Sequence, residues 1–415
     1  MTQLNICREI ATDEEFISLR EEWNALLNEC SYPTPFCSWE WAWEWWNHFC
    51  KGDPSGYRLL VAQAHNSEGR LIGLAPFVFP GTLAGPLRLR PLRPLATRMR
   101  CMVDDLTEEP VILLRRGMTE EALQGLWAAL SAWKGCGHWD LVHLRLMRHV
   151  SEPDIGSLWR QMPRTRLFVL TRASQRIGQT RSLPRSWPEF RKSLGKSMRD
   201  NVAYYPRLLT RDGHSWSVRI VRAPEEMALA ASFLIGLHGD RARSQHGPSH
   251  LNHLPGPNQK QFLQDVLVRL SYQDMAAIAL LEIDGVPIAA QSVLETGGRM
   301  TFYYSGFDTH WHRYSPVTVL HIALLQDAIL RGMTEIDYLP GAEPWKTRWN
   351  MEPEYVYDEL SCLSINPRAL FRSVWRKVIF WRSQRRGSYC ACGYCSPVEQ
   401  IDGRPAAQIS IAAGK

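Results

Sequence analysis

A run of chemically capable side chains follows a short apolar segment near the C-terminal end of the chain. Residues 336–349 begin as a strand, Ile-Asp-Tyr-Leu, turn at Pro-Gly and continue with an acid, a lysine, an arginine and two tryptophans. Strand ends carry function in α/β proteins because a rigid scaffold holds the loops there. Asp337 and Glu343 can accept protons, and Lys346 can bind an anion. Asp337 points either into a cleft or to solvent. The pattern predicts a polar site here.

A second candidate lies where a helix is predicted to begin. Pro316 suits the first turn of a helix that we expect to end at Leu330, and Ser315 is a natural N-cap. Free N–H groups and the helix dipole favour an anion at such a start. The segment either binds a phosphate or is an ordinary capped helix. Its candidate ligands are Arg313, Tyr314, Ser315, Val317 and Thr318.

Four further residues are candidates for substrate binding. His238 and Arg241 follow a helix predicted over 228–237, and they suit an anionic substrate, although a helix C-terminus also favours histidine electrostatically. Asp104 follows the first predicted hairpin and would face an interdomain cleft. Trp39, in a helix predicted over 38–49, either stacks on a sugar ring or fills the core.

Composition places the chain among globular proteins that use no disulfide framework. It has 415 residues, 45% hydrophobic residues and 17 tryptophans. Residues 1–20 contain no apolar signal segment, and no apolar run reaches about 18 residues. We therefore expect a cytoplasmic protein. Seven isolated cysteines suggest buried thiols. Cys390, Cys392 and Cys395 cluster without a fourth ligand nearby, so no metal site is expected.

Charge is unevenly distributed. Residues 160–211 contain thirteen basic and two acidic residues, and residues 367–386 contain seven basic and no acidic residues. Such segments suit an anionic partner, or they are solvated helix faces. The second segment is basic and amphipathic, so it either contacts an anionic membrane surface, which would place the protein at the inner membrane face, or docks on the protein body.

The order of predicted elements repeats. In each half a hairpin precedes a helix and then a strand that carries an aspartate, Asp140 in the first and Asp337 in the second. The predicted division is an N-terminal module over 1–150, a basic linker with a connecting helix over 151–212, a C-terminal module over 213–366 and a basic tail over 367–415. A single irregular α/β domain is the alternative.

Several phrases resemble a known family. They resemble the GNAT acetyltransferase branch found in bacterial polysaccharide and cellulose-biosynthesis proteins of the CelD type, which is similar in fold to the Fem aminoacyltransferases. The resemblance covers about residues 12–365. The matching phrases are residues 35–41, 193–201, Leu237-His238, 283–289, 303–308, Tyr314-Ser315-Pro316 and 336–349.

The resemblance implies an α/β (α+β) fold of tandem GNAT modules, each a mixed, mostly antiparallel sheet flanked by helices. It implies acyl transfer from acetyl-CoA or another acyl-CoA. The helix start at Ser315 would hold the pyrophosphate, Asp337 or Glu343 would be the base, Tyr304 would protonate the thiolate, and Lys346 would bind the oxyanion or an acceptor phosphate.

The chain also departs from the pattern of that family. The usual glycine-rich pyrophosphate loop is absent. Val317 replaces a frequent glycine, and Trp345 replaces a usual tyrosine.

Three functions remain open. The first is acyl-CoA-dependent N- or O-acyl transfer, such as acetyl transfer, to a sugar, amino sugar or cell-envelope or exopolysaccharide precursor. The second is a Fem-like transfer from aminoacyl-tRNA, which the basic segment favours. The third is a non-catalytic GNAT-like scaffold in polysaccharide biosynthesis, which the missing glycine loop favours.

Overall fold

The computed structural model describes residues 5–54, 56–81, 91–96, 106–108, 112–133, 141–151, 167–244, 252–341 and 344–364. Asp104, Asp140, Glu343, the cysteine cluster near residue 392 and the basic tail 367–386 lie outside the described residues.

The first half contains the predicted hairpin and the predicted tryptophan-rich helix. Its elements are β1 (Ile6–Ile10), α1 (Asp13–Ile17), α2 (Arg20–Glu29), α3 (Trp39–Phe49), β2 (Tyr57–His65), β3 (Leu71–Pro80), β4 (Pro91–Pro94), β5 (Leu113–Leu114), α4 (Thr119–Ala132) and β6 (Leu141–His149). Ser38 is the N-cap of α3, since its hydroxyl accepts the Trp41 N–H at 3.1 Å. Residues 13–29 form two helices, α1 and α2, with Ser18 and Leu19 between them.

The second half contains the remaining strands and helices. Its elements are β7 (Leu167–Ser182), α5 (Trp187–Ser193), α6 (Lys196–Arg211), β8 (Trp216–Val221), α7 (Pro224–Arg243), α8 (Pro257–Ser271), β9 (Ala276–Ile283), β10 (Val286–Thr296), β11 (Arg299–Phe307), α9 (Pro316–Leu330), β12 (Glu335–Pro340), α10 (Pro344–Thr347) and β13 (Glu352–Ser364). Asp284 and Gly285 have φ of 52° and 80°, as a two-residue hairpin turn requires. The segment 151–212 contributes β7, α5 and α6.

The described strands form one mixed sheet. Their order is β1-β2-β3-β4-β6-β13-β7-β12-β11-β10-β9-β8, and β5 pairs with β3. The last strand, β13, lies between β6 and β7 and is antiparallel to both. The two halves therefore share a continuous sheet, and the predicted fold class, a mixed and mostly antiparallel sheet flanked by helices, is confirmed.

Helices cover both faces of this sheet. On one face, a core under α1, α2, α3, α7 and α8 spans both halves of the chain. On the opposite face, α4 covers the first half, while α5, α6 and α9 cover the second. Successive side chains of β9 point to opposite faces of the sheet. Ile278 and Leu280 therefore enter the core under α7 and α8, whereas Ala277 and Ala279 enter the core on the opposite face.

The tryptophan-rich helix α3 connects the two halves. Trp41 is fully buried, its ring packs edge-on to Phe262 of α8 with centroids 5.3 Å apart, and its Nε1 donates to Thr107 Oγ1 at 2.9 Å. Trp41 therefore packs in the core.

Of the isolated thiols that the structure describes, three are buried as the sequence predicts, and Cys7 is half-buried. Cys30, Cys37 and Cys50 are free and buried. Burial raises the pKa of the Cys30 thiol to about 12, so it is protonated and unreactive at neutral pH.

Candidate active site

A gap opens between β11 and β12. The two strands are parallel, but they pair only where Arg299–Thr301 faces Glu335–Asp337, while β11 continues to Phe307 and β12 to Pro340. Their carboxyl ends therefore lie at the same edge without a ladder between them in the described residues. Ligands of open α/β sheets bind at such carboxyl ends.

A bulge in β11 lies beside this gap. Gln291 of β10 faces Ser305, but Val293 faces Phe302, so β11 has one residue too many for regular pairing. The extra residue changes the side on which side chains emerge. Phe302 packs in the core under α9, whereas Tyr304 joins the core under α7. The bulge therefore directs Tyr304 toward the α7 face.

Buried polar side chains satisfy the backbone of the bulge. Ser292 Oγ accepts the Tyr304 N–H at 3.0 Å and lies 3.2 Å from the Tyr304 carbonyl oxygen. Gln291 Nε2 donates to the same carbonyl at 3.1 Å. Sequence reasoning missed both residues. Their signal is an adjacent polar pair, Gln-Ser, in the middle of an otherwise apolar strand.

A hydrogen-bonded chain extends from the bulge across the α9 face. His321 Nε2 donates to Gln291 Oε1 at 3.2 Å, and Tyr338 O–H donates weakly to His321 Nδ1 at 3.5 Å. Complete burial lowers the pKa of His321 to about 3, so the ring is neutral and can donate at one nitrogen and accept at the other. The chain connects β12, α9, β10 and the bulge of β11.

The end of β12 has an uncommon backbone conformation. Leu339 has φ of 62°, a region that branched residues seldom occupy. Asp337 Oδ1 accepts the Leu339 N–H at 2.6 Å. Lys346, which is 4% exposed, donates from Nζ to the carbonyl oxygens of Leu339 at 3.0 Å and Pro340 at 3.2 Å. Strained backbone that surroundings hold in place is frequent at functional sites.

Asp337 lies in a buried ionic network and does not face solvent. Tyr355 O–H donates to its Oδ2 at 2.9 Å, and Arg299 Nη1 lies 3.8 Å from the same oxygen. Burial raises the pKa of Asp337, and the positive charge of Arg299 opposes that rise. Arg299 also pairs with Glu335 at 2.6 Å.

His238 and Arg241 lie on the α7 side of the gap. His238 Nδ1 donates to the Ser305 carbonyl at 2.9 Å, and burial lowers the pKa of this histidine to about 4. Arg241 Nη1 lies 3.4 Å from Ser305 Oγ, and its guanidinium packs 4.9 Å from the Phe307 ring centroid. The ring of Tyr304 is 5.4 Å from that of His238. The prediction that both residues follow the helix was wrong, because α7 continues to Arg243.

The start of α9 is the third segment that contains candidate site residues, after the end of β12 and the contact between α7 and β11. Ser315 occupies the N-cap position with φ of 47°, and its hydroxyl pairs with Thr318 Oγ1 at 2.8 Å instead of capping a backbone N–H. Arg313 and the Tyr314 hydroxyl both contact Asp212 Oδ2, at 3.0 and 3.1 Å.

The structure places the described candidates near β11, β12 and α9 in three groups: at the end of β12, on β11 with α7, and at the start of α9. Val317 and Thr318 lie half-buried in the first turn of α9. Trp39 lies elsewhere, since it is 2% exposed and its Nε1 donates to the Phe16 carbonyl at 2.8 Å.

The class of the protein follows from a match to a known family. Residues 196–347 match the model of a family described as acetyltransferase (GNAT) domain. That region contains α6 to α10 and the parallel pair β11 and β12. The chain therefore contains a GNAT acetyltransferase domain, and it is an acyltransferase.

Two solved structures show a similar fold over most of the chain, and a third matches with a lower TM-score. FemX is 11% identical with a TM-score of 0.58, and the match covers 87% of this chain and 98% of FemX. A conserved protein of unknown function from Bacteroides thetaiotaomicron is 10% identical with a TM-score of 0.50, over 88% of this chain and 100% of that one. A tandem GNAT protein from the clavulanic acid biosynthesis pathway is 12% identical with a TM-score of 0.43, over 88% and 99%. A comparison with curated protein sequences finds no match.

Proposed function

We propose that this protein transfers an acyl group from acetyl-CoA or another acyl-CoA to an amine or hydroxyl of a sugar, amino sugar or related cell-envelope or exopolysaccharide precursor. The observation that carries the proposal is the separation of β11 from β12 after three residue pairs. A thioester that enters this gap from the α9 face meets an acceptor that enters from the α7 face.

The start of α9 suits the pyrophosphate of the donor. The helix dipole favours negative charge there, and the hydroxyls of Ser315 and Thr318 lie together at the first turn. Arg313 is 60% exposed and pairs with Asp212, so it can turn from that carboxylate to a phosphate. Tyr314 and Val317 would complete the lining of this proposed pyrophosphate site.

The end of β12 suits the reacting carbonyl. In the proposed step the acceptor nitrogen or oxygen attacks the thioester carbon, the C–S bond breaks, a base takes the acceptor proton and the thiolate receives a proton. We assign Lys346 to the developing oxyanion and Tyr304 to protonation of the thiolate. Asp337 accepts hydrogen bonds from Leu339 and Tyr355, so we assign it to positioning Leu339. Glu343 is then the proposed base.

The α7 side suits an anionic group on the acceptor. Arg241 is partly buried, and burial lowers the pKa of its guanidinium. The described contacts of Arg241 are with the Ser305 hydroxyl and the Phe307 ring. A carboxylate or phosphate of the acceptor would compensate this charge. The neutral His238 beside it would shape the same pocket.

Transfer from aminoacyl-tRNA is the second candidate. The observation that favours it is a row of exposed basic residues, Arg191 and Lys192 on α5 and Lys196 on α6. The fold likeness to FemX is compatible with it. Phosphate binding by such a row would make tRNA affinity fall steeply with salt.

We further propose that the protein acts in the cytoplasm, at times at the inner membrane face through the basic segment 367–386. No helix in the described part of the chain has the length and apolar character needed to cross a membrane.

Calorimetric titration with acetyl-CoA and, separately, with charged tRNA tests the proposal. We expect saturable micromolar binding of acetyl-CoA that Arg313→Ala and Ser315→Ala both weaken at least tenfold. Arg8→Ala, which removes an exposed arginine from the edge strand β1, is the matched control and should bind as the wild type does. Binding of tRNA alone would support the second candidate, and a lack of response to either ligand would contradict both.

A further inference from the structure

Three potential metal-ligand atoms meet where α3 of the first half contacts α8 of the second. Glu44 and His48 lie one turn apart on α3, and Asp265 lies on α8. His48 Nε2 is 3.0 Å from Asp265 Oδ2 and 3.5 Å from Glu44 Oε2, and the three atoms lie within 4.8 Å of one another. We propose that Glu44, His48 and Asp265 bind a divalent transition-metal ion of the zinc type.

The atom types and two of the three spacings fit such an ion. Imidazole nitrogen and carboxylate oxygen are ordinary zinc ligands, with bonds of about 2.0–2.1 Å, so a tetrahedral ion holds neighbouring ligand atoms about 3.3 Å apart. The two distances from His48 Nε2, 3.0 and 3.5 Å, bracket that separation. Three protein ligands leave one position for water.

The remaining oxygens of both carboxylates are already held by other side chains. Arg269 contacts Glu44 Oε1, and Gln261 Nε2 donates to Asp265 Oδ1 at 3.0 Å. These contacts leave Glu44 Oε2 and Asp265 Oδ2 facing His48. Hydrogen bonds to the outer atoms of ligands orient the ligands in metal sites.

The charge and the access of the cluster favour a cation. Two carboxylates and the Arg269 guanidinium leave a net charge of about −1 when His48 is neutral. Glu44 is buried, with 7% of its side chain exposed, whereas Asp265 is 39% exposed and leaves an approach from solvent. A bound ion would join the two halves of the chain, since His48 and Asp265 are 217 residues apart in sequence.

Titration of the full-length protein with ZnCl2, followed by calorimetry and thermal unfolding, tests the proposal. We expect one ion per chain and a higher Tm, with binding at least tenfold weaker in His48→Gln and in Asp265→Asn. Asp265 is partly exposed, so its variant should fold. The variant with Cys390, Cys392 and Cys395 all changed to Ser is the matched control and should bind as the wild type does.

Cobalt gives an independent readout of the ligands. Co²⁺ bound to nitrogen and oxygen gives weak visible bands, whereas thiolate ligands add an intense near-ultraviolet charge-transfer band. The weak spectrum, lost in His48→Gln, is the expected result. No saturable binding of Zn²⁺ would overturn the proposal and leave an ion-pair cluster between α3 and α8. Binding that survives both ligand variants, or that disappears in the cysteine variant, would also overturn it.

Discussion

Asp337 and Lys346 hold the same residue, Leu339, by its two backbone polar groups. The carboxylate accepts the Leu339 N–H at 2.6 Å, and the ammonium donates to the Leu339 carbonyl oxygen at 3.0 Å. Leu339 has φ of 62°, and it lies one residue before the end of β12, the strand that borders the gap. Two charged side chains thus fix the backbone conformation at one wall of the proposed acyl site.

Lys346→Met should lower both acyl transfer and stability. Methionine fills a similar volume but cannot donate to the carbonyls or to an oxyanion. We expect turnover to fall by about 100-fold, the usual effect of removing one oxyanion donor. The free energy of unfolding should fall by about 1–3 kcal/mol. Steady-state kinetics and urea unfolding measure the two effects. Arg348→Met, which changes an exposed cation in the same segment, is the control. Unchanged turnover in Lys346→Met would refute the assigned role.

Asp337→Ala should destabilise the protein strongly. The change leaves Arg299 partly uncompensated and removes the acceptor of the Leu339 N–H and the Tyr355 hydroxyl. Breaking a buried pair in this way costs about 3–5 kcal/mol. Urea unfolding measures the loss of stability. Glu354→Ala, which changes a more exposed partner of Arg299, is the control, and it should lose about 1 kcal/mol or less. A loss below 1 kcal/mol in Asp337→Ala would show that the network does not stabilise β12.

Stability should fall in mild acid because His321 is buried in its neutral form. Its pKa is about 3 in the folded protein and near 6.5 in the unfolded chain. Below pH 6.5 only the unfolded state takes up the proton, so the stabilisation present above pH 6.5 is lost as the pH falls toward 3. Between pH 6.5 and 5.0 the loss should be about 2 kcal/mol.

Urea unfolding of His321→Gln at both pH values isolates this effect. Glutamine can still donate to Gln291 and accept from Tyr338, so the variant should fold and lack that part of the pH dependence. Equal dependence in His321→Gln and the wild type would show that His321 is not the group responsible.

Gly306→Ala should disturb the close packing of α7 on β11 and lower the stability of the protein. A Cβ at this position would lie 2.3 Å from the His238 backbone nitrogen, so the helix would have to move. We expect a loss of about 2 kcal/mol or more in thermal or urea unfolding. Gly236→Ala on α7 is the control, since nothing lies within 4 Å of its Cβ and alanine favours helix. If both variants kept wild-type stability, the close packing of α7 on β11 would be wrong.

The local elements were predictable because local chemistry determines them. The predicted bounds of α9, Pro316 and Leu330, are those of the structure, since a proline start and a continuous apolar pattern are visible in the sequence. The Asp284-Gly285 hairpin is equally local. The place of β13 between β6 and β7 depends on pairings between residues far apart in sequence, which no local pattern encodes.

The candidate site was predictable only in part. The sequence placed Asp337 and Lys346 at a strand end, but it does not show that both hold Leu339, because a positive φ at leucine depends on tertiary contacts. The bulge in β11 was missed for a similar reason. Gln291 and Ser292 look like isolated polar residues until the partner strand brings Tyr304 opposite them.

Hydrogen exchange with and without acetyl-CoA tests the central claim most directly. If the donor enters the gap between β11 and β12 from the α9 face, backbone amides of the non-proline residues in 315–319 and 338–341 should exchange more slowly in the complex. Amides of the edge strand β1 should not change. Protection confined to other parts of the chain, or no protection at saturating acetyl-CoA, would contradict the account.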